Sequence, residues 1–351
     1  MSLSIDDILA AAEQHQASDL FLQEGEPPRI KINEQIMMLG EEPLSLGLMS
    51  ALWQACGANP LGDLDRDSGL ISQQHIRFRV NLHRTMGRLA AVLRRIKTKV
   101  PSIDKLGVPD WLLTRWAQRS FGLILITGPT GTGKSTTIAA LLRWMNENLA
   151  RHIVTIEDPV EYVFTNEACH FTQREVGRDT ANFAAGLRGA MRQAPDVIFV
   201  GEIRDAETAL TALQAAETGH LVLATLHSER VADTMERFLN LFPKDQAGIG
   251  TNMLAQQLVG VQCQKLVQRI DGGLHLLVEH IENGGAIRDW IRNRDVNHME
   301  DYLRRGGDPN AVSFLHTVVA AWQQGIISEE TAIEALGSET DFRRAARGIQ
   351  G

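Results

Sequence analysis

Gly128-Pro129-Thr130-Gly131-Thr132-Gly133-Lys134-Ser135 fits the pattern G-x-x-x-x-G-K-[ST] at every position. A loop of this kind restricts the fold around it. It needs a strand to feed it and a helix to receive it, because backbone N–H groups at a helix N-terminus hold the phosphate. Both flanks are present: the apolar run from Gly122 to Thr127 precedes the loop, and a helical stretch over 134–148 follows. The chain therefore reads as α/β around a nucleotide site. The loop and the residue after it, Thr136, enclose the phosphates. Lys134 reaches the β- and γ-phosphates and Ser135 offers a hydroxyl to Mg²⁺. ATP is the expected ligand and Mg²⁺ its companion.

Beyond residue 106 short apolar runs alternate with helical stretches, the signature of a parallel sheet. Strands are expected at 123–127, 153–156, 197–200 and 221–225, with helices at 134–148, 183–193 and 206–217. Past about residue 245 the pattern reads as mostly helical, including a helix over 328–336 with Ser328 as its N-cap. The first hundred residues differ. A helix over 5–16, strands at 19–22, 29–32, 75–82 and 88–96, and a helix over 46–56 describe a small α+β domain. Lys97-Thr98-Lys99-Val100-Pro101 has the charges and proline of a linker. The expected division is 1–97, a linker over 98–105, and a nucleotide-binding domain over 106–351.

In a parallel sheet the carboxyl ends of the strands face the ligand. Asp196-Val197-Ile198-Phe199-Val200-Gly201-Glu202 is an apolar strand that delivers Glu202 to that edge as a candidate Mg²⁺ partner. Val154-Thr155-Ile156-Glu157-Asp158-Pro159-Val160-Glu161 delivers three acids within one short run. Such acids repel one another unless a cation or a nucleophilic water uses them, and Glu161 is the candidate to orient that water. The alternative is a solvated acidic loop. His220 and His227 bracket the strand between them, either as readers of the γ-phosphate or as structural histidines. Arg77, Arg79, Arg84, Arg88, Arg94, Arg95, Lys97 and Lys99 make a basic run. Spacing alone favours a solvated face over a set of phosphate ligands.

Thirty-five Lys and Arg against 43 Asp and Glu leave a net charge of −8. That balance argues against nucleic acid as a partner, although a local patch can hide in an acidic total. No run approaches the ~18 uncharged apolar residues of a membrane-spanning helix. The start, Met1-Ser2-Leu3-Ser4-Ile5-Asp6-Asp7, lacks the basic-then-apolar order of a secretory signal. Cys56, Cys169 and Cys263 are far apart and form no C-x-x-C pair. A cytoplasmic, reducing setting follows as the expectation.

Taken in order, the boxes resemble the secretion ATPases of the type II/type IV superfamily, in particular the PilT-like motors that retract type IV pili. The carrying stretches are Ala17-Ser18-Asp19-Leu20, Gly25-Glu26-Pro27-Pro28-Arg29, Arg77-Phe78-Arg79-Val80-Asn81 and the phosphate loop. They continue through the acidic box at 156–162, Gln173-Arg174-Glu175-Val176-Gly177 and Gly201-Glu202-Ile203-Arg204-Asp205. The histidine box follows in Ala216-Glu217-Thr218-Gly219-His220 and Thr225-Leu226-His227, and then Ala286-Ile287-Arg288. The resemblance implies a PAS-like N-terminal domain, a RecA-like ATPase domain and a homohexamer. It also implies an inner-membrane pilus platform protein as partner and a peripheral place at that membrane. By the same resemblance Lys134 and Ser135 are Walker A residues, Glu202 the Walker B acid and Glu161 the catalytic glutamate. His220 and His227 are histidine-box residues, and Arg79 and Arg94 are N-domain arginines that approach the phosphates. Arg204 and Arg192 are candidates for sensing or for contacts between subunits. An accessory PilU-like retraction ATPase or a type IVB secretion ATPase is the alternative, with a non-hydrolysing scaffold or a nucleic-acid translocase behind them. Relatives that assemble pili usually carry a longer N-terminal region and a four-cysteine zinc module, and this chain shows no such cysteines. Two departures stand out. Ala194 replaces the acid in the family's Arg-x-Asp-Pro-Asp, and Asn310-Ala311-Val312-Ser313-Phe314 stands near the place where Gly-Met-Gln-Thr is expected; the strand before Arg77, Asp65-Arg66-Asp67-Ser68-Gly69, is also atypical.

Overall fold

A computed structural model describes residues 4–15, 17–32, 35–73, 76–96 and 99–348. The expected strand start at His75, the linker and patch residues Lys97 and Thr98, and both chain ends (1–3 and 349–351) lie outside them. The chain divides into two compact units, Met1–Lys99 and Val100–Gly351.

The first unit runs α1 (Ile5–Gln14), β1 (Asp19–Gln23), β2 (Arg29–Ile32), β3 (Gln35–Met38), α2 (Leu46–Ala55), β4 (Asp65–Ile71), β5 (Arg77–Thr85) and β6 (Arg88–Arg95). Ser4 caps α1 in a reciprocal box with Asp7, which stabilises a helix start by about 1 kcal/mol. The strands form one antiparallel sheet in the order β3-β2-β1-β6-β5-β4. Phe78, Val80 and Leu82 alternate with Arg77, Arg79, Asn81 and His83, so β5 gives one face to the core and the other away from it. Ile8, Leu9, Met49, Leu52 and Trp53 of the two helices cover the apolar face. The edge strand β3 was not expected. All four of its residues are exposed, so no buried alternation marks it in the sequence.

The second unit continues with α3 (Asp110–Ala117), β7 (Gly122–Thr127), α4 (Lys134–Asn148), β8 (His152–Glu157), β9 (His170–Glu175), α5 (Phe183–Ala190), β10 (Val197–Val200), α6 (Ala206–Glu217), β11 (Leu221–Leu226), α7 (Val231–Asn240) and α8 (Ala247–Gln257). It ends with β12 (Leu258–Gln268), β13 (Leu274–Glu282), α9 (Gly285–Asn293), α10 (Val296–Arg305), β14 (Ala311–Val312), α11 (Phe314–Gln323), α12 (Glu329–Leu336) and α13 (Glu339–Ala346). Its sheet has eight strands in the order β14-β13-β12-β7-β11-β10-β8-β9. Neighbours from β12 to β9 are parallel, and β13 and β14 join antiparallel at one edge. Every residue of β7, β10 and β11 is buried, as expected of strands with helices on both faces.

The expectation of a mostly helical stretch beyond residue 245 is corrected by β12 and β13. Gln262 and Gln264 lie within β12 and are fully buried, and they interrupt the apolar run that would have announced a central strand. Asp271-Gly272-Gly273 between the two strands was the available signal, since Gly272 and Gly273 take the positive φ a tight hairpin needs. After residue 284 the helices do dominate, and Ser328 caps α12 at the Thr331 amide.

Candidate nucleotide site

Thr127, Glu157, Val200 and Leu226 end four parallel strands on the same side of the sheet, and the loops that follow them build the site. Gly128 opens the phosphate loop at φ 144, where a Cβ would fall 2.5 Å from the Gln264 carbonyl and 2.6 Å from Thr132 Oγ1. Gly131 and Gly133 are also left-handed, and Gly133 is the N-cap of α4. Lys134 folds back on this loop: its Nζ donates to the carbonyls of Gly128 (2.8 Å) and Pro129 (2.9 Å). These are two neutral acceptors for a buried ammonium. Burial lowers its pKa, and Glu202 and Glu161 oppose that shift.

Ser135 Oγ donates to Glu161 Oε1 at 2.8 Å, and Thr136 Oγ1 lies 3.1 Å from the Tyr162 hydroxyl. Glu202 pairs with Arg204 at 2.7 Å and lies 3.4 Å from His227 Nε2. The other ring nitrogen of His227 is 3.4 Å from Lys134 Nζ and 3.5 Å from Thr130 Oγ1. Burial and the Lys134 charge hold the imidazole below its ordinary pKa, which favours its neutral form. Lys134, Ser135, Glu161, Glu202, Arg204 and His227 thus meet in one place. Ser135, Glu157, Asp158, Glu161, Phe183 and Glu202 line a cleft beside the loop.

Glu157 is the member of the acidic run whose role the sequence did not separate. It is buried, accepts from Thr155 Oγ1 at 2.6 Å and from the Glu161 amide at 3.4 Å, and burial pushes its carboxyl up to about 7. Gln173, on the neighbouring strand, reaches it at 3.4 Å.

The family model for type II/IV secretion system proteins matches residues 60–305. Across 97% of this chain and 100% of the relative, the sequence is 37% identical to the type IV pilus retractation ATPase PilT of Pseudomonas aeruginosa. This chain belongs to the type II/IV secretion system protein family. It is also 35% identical to the type IV pilus ATPase PilU of the same organism, over 97% of this chain and 91% of that protein. The crystal structure of the pilus retraction motor PilT with bound ADP matches with a TM-score of 0.90 at 37% identity, covering 98% of this chain and 100% of that one.

Seen as a family member, the chain places some expected residues away from its phosphate loop. His220 stands before the first residue of β11, and register pairs that end with Gly122, the start of β7. At ~3.3 Å per strand residue it is roughly 20 Å from the loop of its own chain. Its Nδ1 instead lies 2.9 Å from the Ala215 carbonyl and 3.2 Å from Thr218 Oγ1, at the C-terminal end of α6. The reading of His220 as a ligand of this loop is corrected accordingly. Arg79 and Arg94 lie in the first unit, opposite each other on β5 and β6. Arg94 donates to the buried Asp19 at 2.7 Å and keeps 69% of its side chain exposed. Arg84 leaves the candidate phosphate ligands. Its guanidinium lies 5.6 Å from the Trp53 ring centroid and donates to the carbonyls of Asp63 and Pro60.

Of the two family departures, Ala194 takes φ 49, a left-handed conformation that Asp and Asn adopt more readily than Ala. It lies just before β10, at the sheet end away from the phosphate loop. Asn310 to Phe314 forms β14 and the start of α11. Ser313 is that helix's N-cap residue, but its hydroxyl meets His316 Nδ1 at 2.7 Å rather than a backbone amide.

Proposed function

We propose that this chain is an ATPase that powers type IV pilus retraction. The observation that carries the reading is the meeting of Lys134 and Ser135 with Glu161, Glu202 and His227 at the carboxyl edge of the sheet. Entry of a nucleotide gives the Lys134 ammonium phosphate oxygens in place of the loop carbonyls it now holds, a stronger pairing of opposite charges. Glu161 accepts a hydrogen bond from Ser135 and is positioned to orient water toward a γ-phosphate beside that hydroxyl.

Mg²⁺ fits the donors present. Ser135 Oγ and the Glu202 carboxylate are hard oxygens, and the phosphates would complete a shell that no all-protein cage provides. Among the described residues no cluster of three or more His, Cys, Asp or Glu could hold a metal without the nucleotide. The bound ion would neutralise phosphate charge. Ser135 and Glu202 would orient it, and His227 and Arg204 would hold Glu202 in place.

We read the first unit as PAS-like and the second as RecA-like, joined by a linker over 98–105, and the working assembly as a homohexamer. In that assembly we read Arg79 and Arg94 as nucleotide ligands, and His220 as serving at a neighbouring subunit or in structure alone. Mass measurement with nucleotide should give six chains per particle, and a strict monomer in every nucleotide state would remove the ring. The setting is the cytoplasmic side of the inner membrane, at a pilus platform protein. No helix among the described residues is long and apolar enough to cross a membrane.

The function is tested by deleting the gene and watching pili. Retraction predicts excess pili and lost twitching, restored by the wild-type gene but not by Lys134→Ala. Bald cells would instead assign the motor to assembly. The similar likeness to PilU favours a second reading as an accessory retraction ATPase. In that case a deletion strain retaining another retraction motor would retract with less force rather than not at all.

A further inference from the structure

The Glu279 carboxylate is buried within the second unit, 7% exposed, and forms no ion pair among the described residues. Its two oxygens go to two different helices. Oε1 accepts from the Val231 amide at 2.8 Å, and Oε2 accepts from the Phe314 amide at 3.1 Å. Val231 is the first residue of α7, and Phe314 is the first residue of α11. Both amides belong to helix N-termini, where unpaired donors and the helix dipole favour an anion. Burial pushes the carboxyl's pKa up and the two helix-start amides oppose that shift, so the helix starts and the carboxyl group stabilise one another.

α7 leads back to the site. Arg237 in α7 donates to the His227 carbonyl at 2.8 Å. Thr234, one turn into α7, meets Thr127, the last residue before the phosphate loop, at 3.1 Å. Cys263 lies 2.7 Å from the same Thr127 and is the register partner of Glu279. α7 thus bonds Thr127 one turn in and the His227 backbone from its last turn, so the placement of the whole helix bears on where His227 stands beside Lys134 and Glu202. α11 leads the other way, packing on α12 and α13.

We infer that Glu279 is a positioning residue for hydrolysis: one carboxylate sets the start of α7, and through it the place of His227, and carries movement of that helix to α11. This rests on the reading of His227 as part of the phosphate site. When phosphate draws Lys134 Nζ off the loop, the contact at His227 Nδ1 changes with it, and α7 is the element bonded to that residue's backbone.

Two variants probe the link from opposite sides in the full-length protein. Glu279→Gln keeps the shape but can accept from only one of the two amides, and turns an NH₂ toward the other. Val231→Pro removes a single donor. Proline suits the first position of a helix, and the preceding Arg230 already has φ −134 and ψ 163, as a residue before proline requires. With ATP as the probe, both variants should lower kcat on the order of tenfold while KM stays within about twofold, because misplacing a group near the chemistry costs rate rather than binding. In a His227→Ala background Glu279→Gln should add nothing. Hydrogen exchange over 314–323 should respond to ADP in the wild type and lose that response in Val231→Pro.

If either variant turns over at the wild-type rate, the inference is overturned. It is also overturned if Glu279→Gln slows His227→Ala by the same factor as it slows the wild type, which would mark a general loss of structure. A wild-type rate for His227→Ala alone would remove the role of His227 and the inference with it. Full loss in His227→Ala beside full activity in Glu279→Gln would remove the inference only. Should Glu279→Gln fail to fold, Val231→Pro still decides.

Discussion

The two ends of the eight-stranded sheet are built from similar residue types and behave differently. At the carboxyl end stand Lys134, Glu161, Glu202 and His227, whose polar groups face one another across a cleft. At the opposite end stand His152, Asp196 and His220, each closed on a backbone group: the Asp196 carboxylate takes the His152 amide at 2.7 Å, and His220 meets the end of α6. The difference lies in the backbone each end supplies. Strands of a parallel sheet release their loops at the carboxyl end, where helix N-termini offer donors, while the other end receives helix C-termini whose spare carbonyls take up donors such as the His220 ring. A histidine therefore becomes a site residue or a structural one according to the end at which it stands.

This contrast can be broken at several points. The largest effect is expected at Glu161. Glu161→Gln should bind ATP and hydrolyse it slower by about 10²–10⁴-fold, the range for a lost base or water-orienting group. Loss of binding itself, measured with a fluorescent nucleotide, would show that Glu161 holds the ligand rather than the water.

Glu157 should show its effect through pH. Its folded-state pKa is about 7 against an ordinary 4.5. Between those values the native state binds the proton that the unfolded chain releases, so stability falls as pH rises through the window and levels off above it. Glu157→Gln cannot ionise. In the nucleotide-free protein it should gain on the wild type above pH 7 by up to about 3 kcal/mol, and match it near pH 4. Urea midpoints at pH 5 and pH 8 measure this. An equal difference at both would show that Glu157 carries no such penalty.

The smallest effect is expected at His220. His220→Ala should leave kcat of a chain acting alone within about twofold and cost about 1 kcal/mol from its lost hydrogen bonds. A large fall in kcat that depends on protein concentration would place His220 at a neighbour's site and redraw the contrast between the ends.

The two sheets were unequally legible in the sequence. β7, β8, β10 and β11 of the second unit showed as short apolar runs because both faces of each are covered, whereas the parallel edge strand β9, His170–Glu175, is polar and mostly half-buried and gave no such signal. β3 of the first unit is fully exposed and gives no buried alternation, and β4 is mostly exposed, so that its stretch Asp65–Gly69 reads only as an atypical strand. β12 failed for the opposite reason. It is central, yet Gln264 spends its buried amide on Thr137 at 2.6 Å, a polar use of a core position that no period detects. Arg84 and Arg94 were equal members of a basic run in the sequence. The fold spends one on Trp53 and backbone carbonyls and leaves the other largely exposed.

By itself the sequence determined the phosphate loop, the acidic strand ends and the family to which the chain belongs. These are local patterns: a glycine that must take a left-handed turn, a lysine at a helix start, a carboxylate just past a buried strand. Only the tertiary structure decided which histidine meets Lys134, that Glu157 is buried behind Glu161, and that Glu279 joins two helix starts. Those facts depend on strand order and register, which bring together residues tens of positions apart and decide which polar groups lose their water.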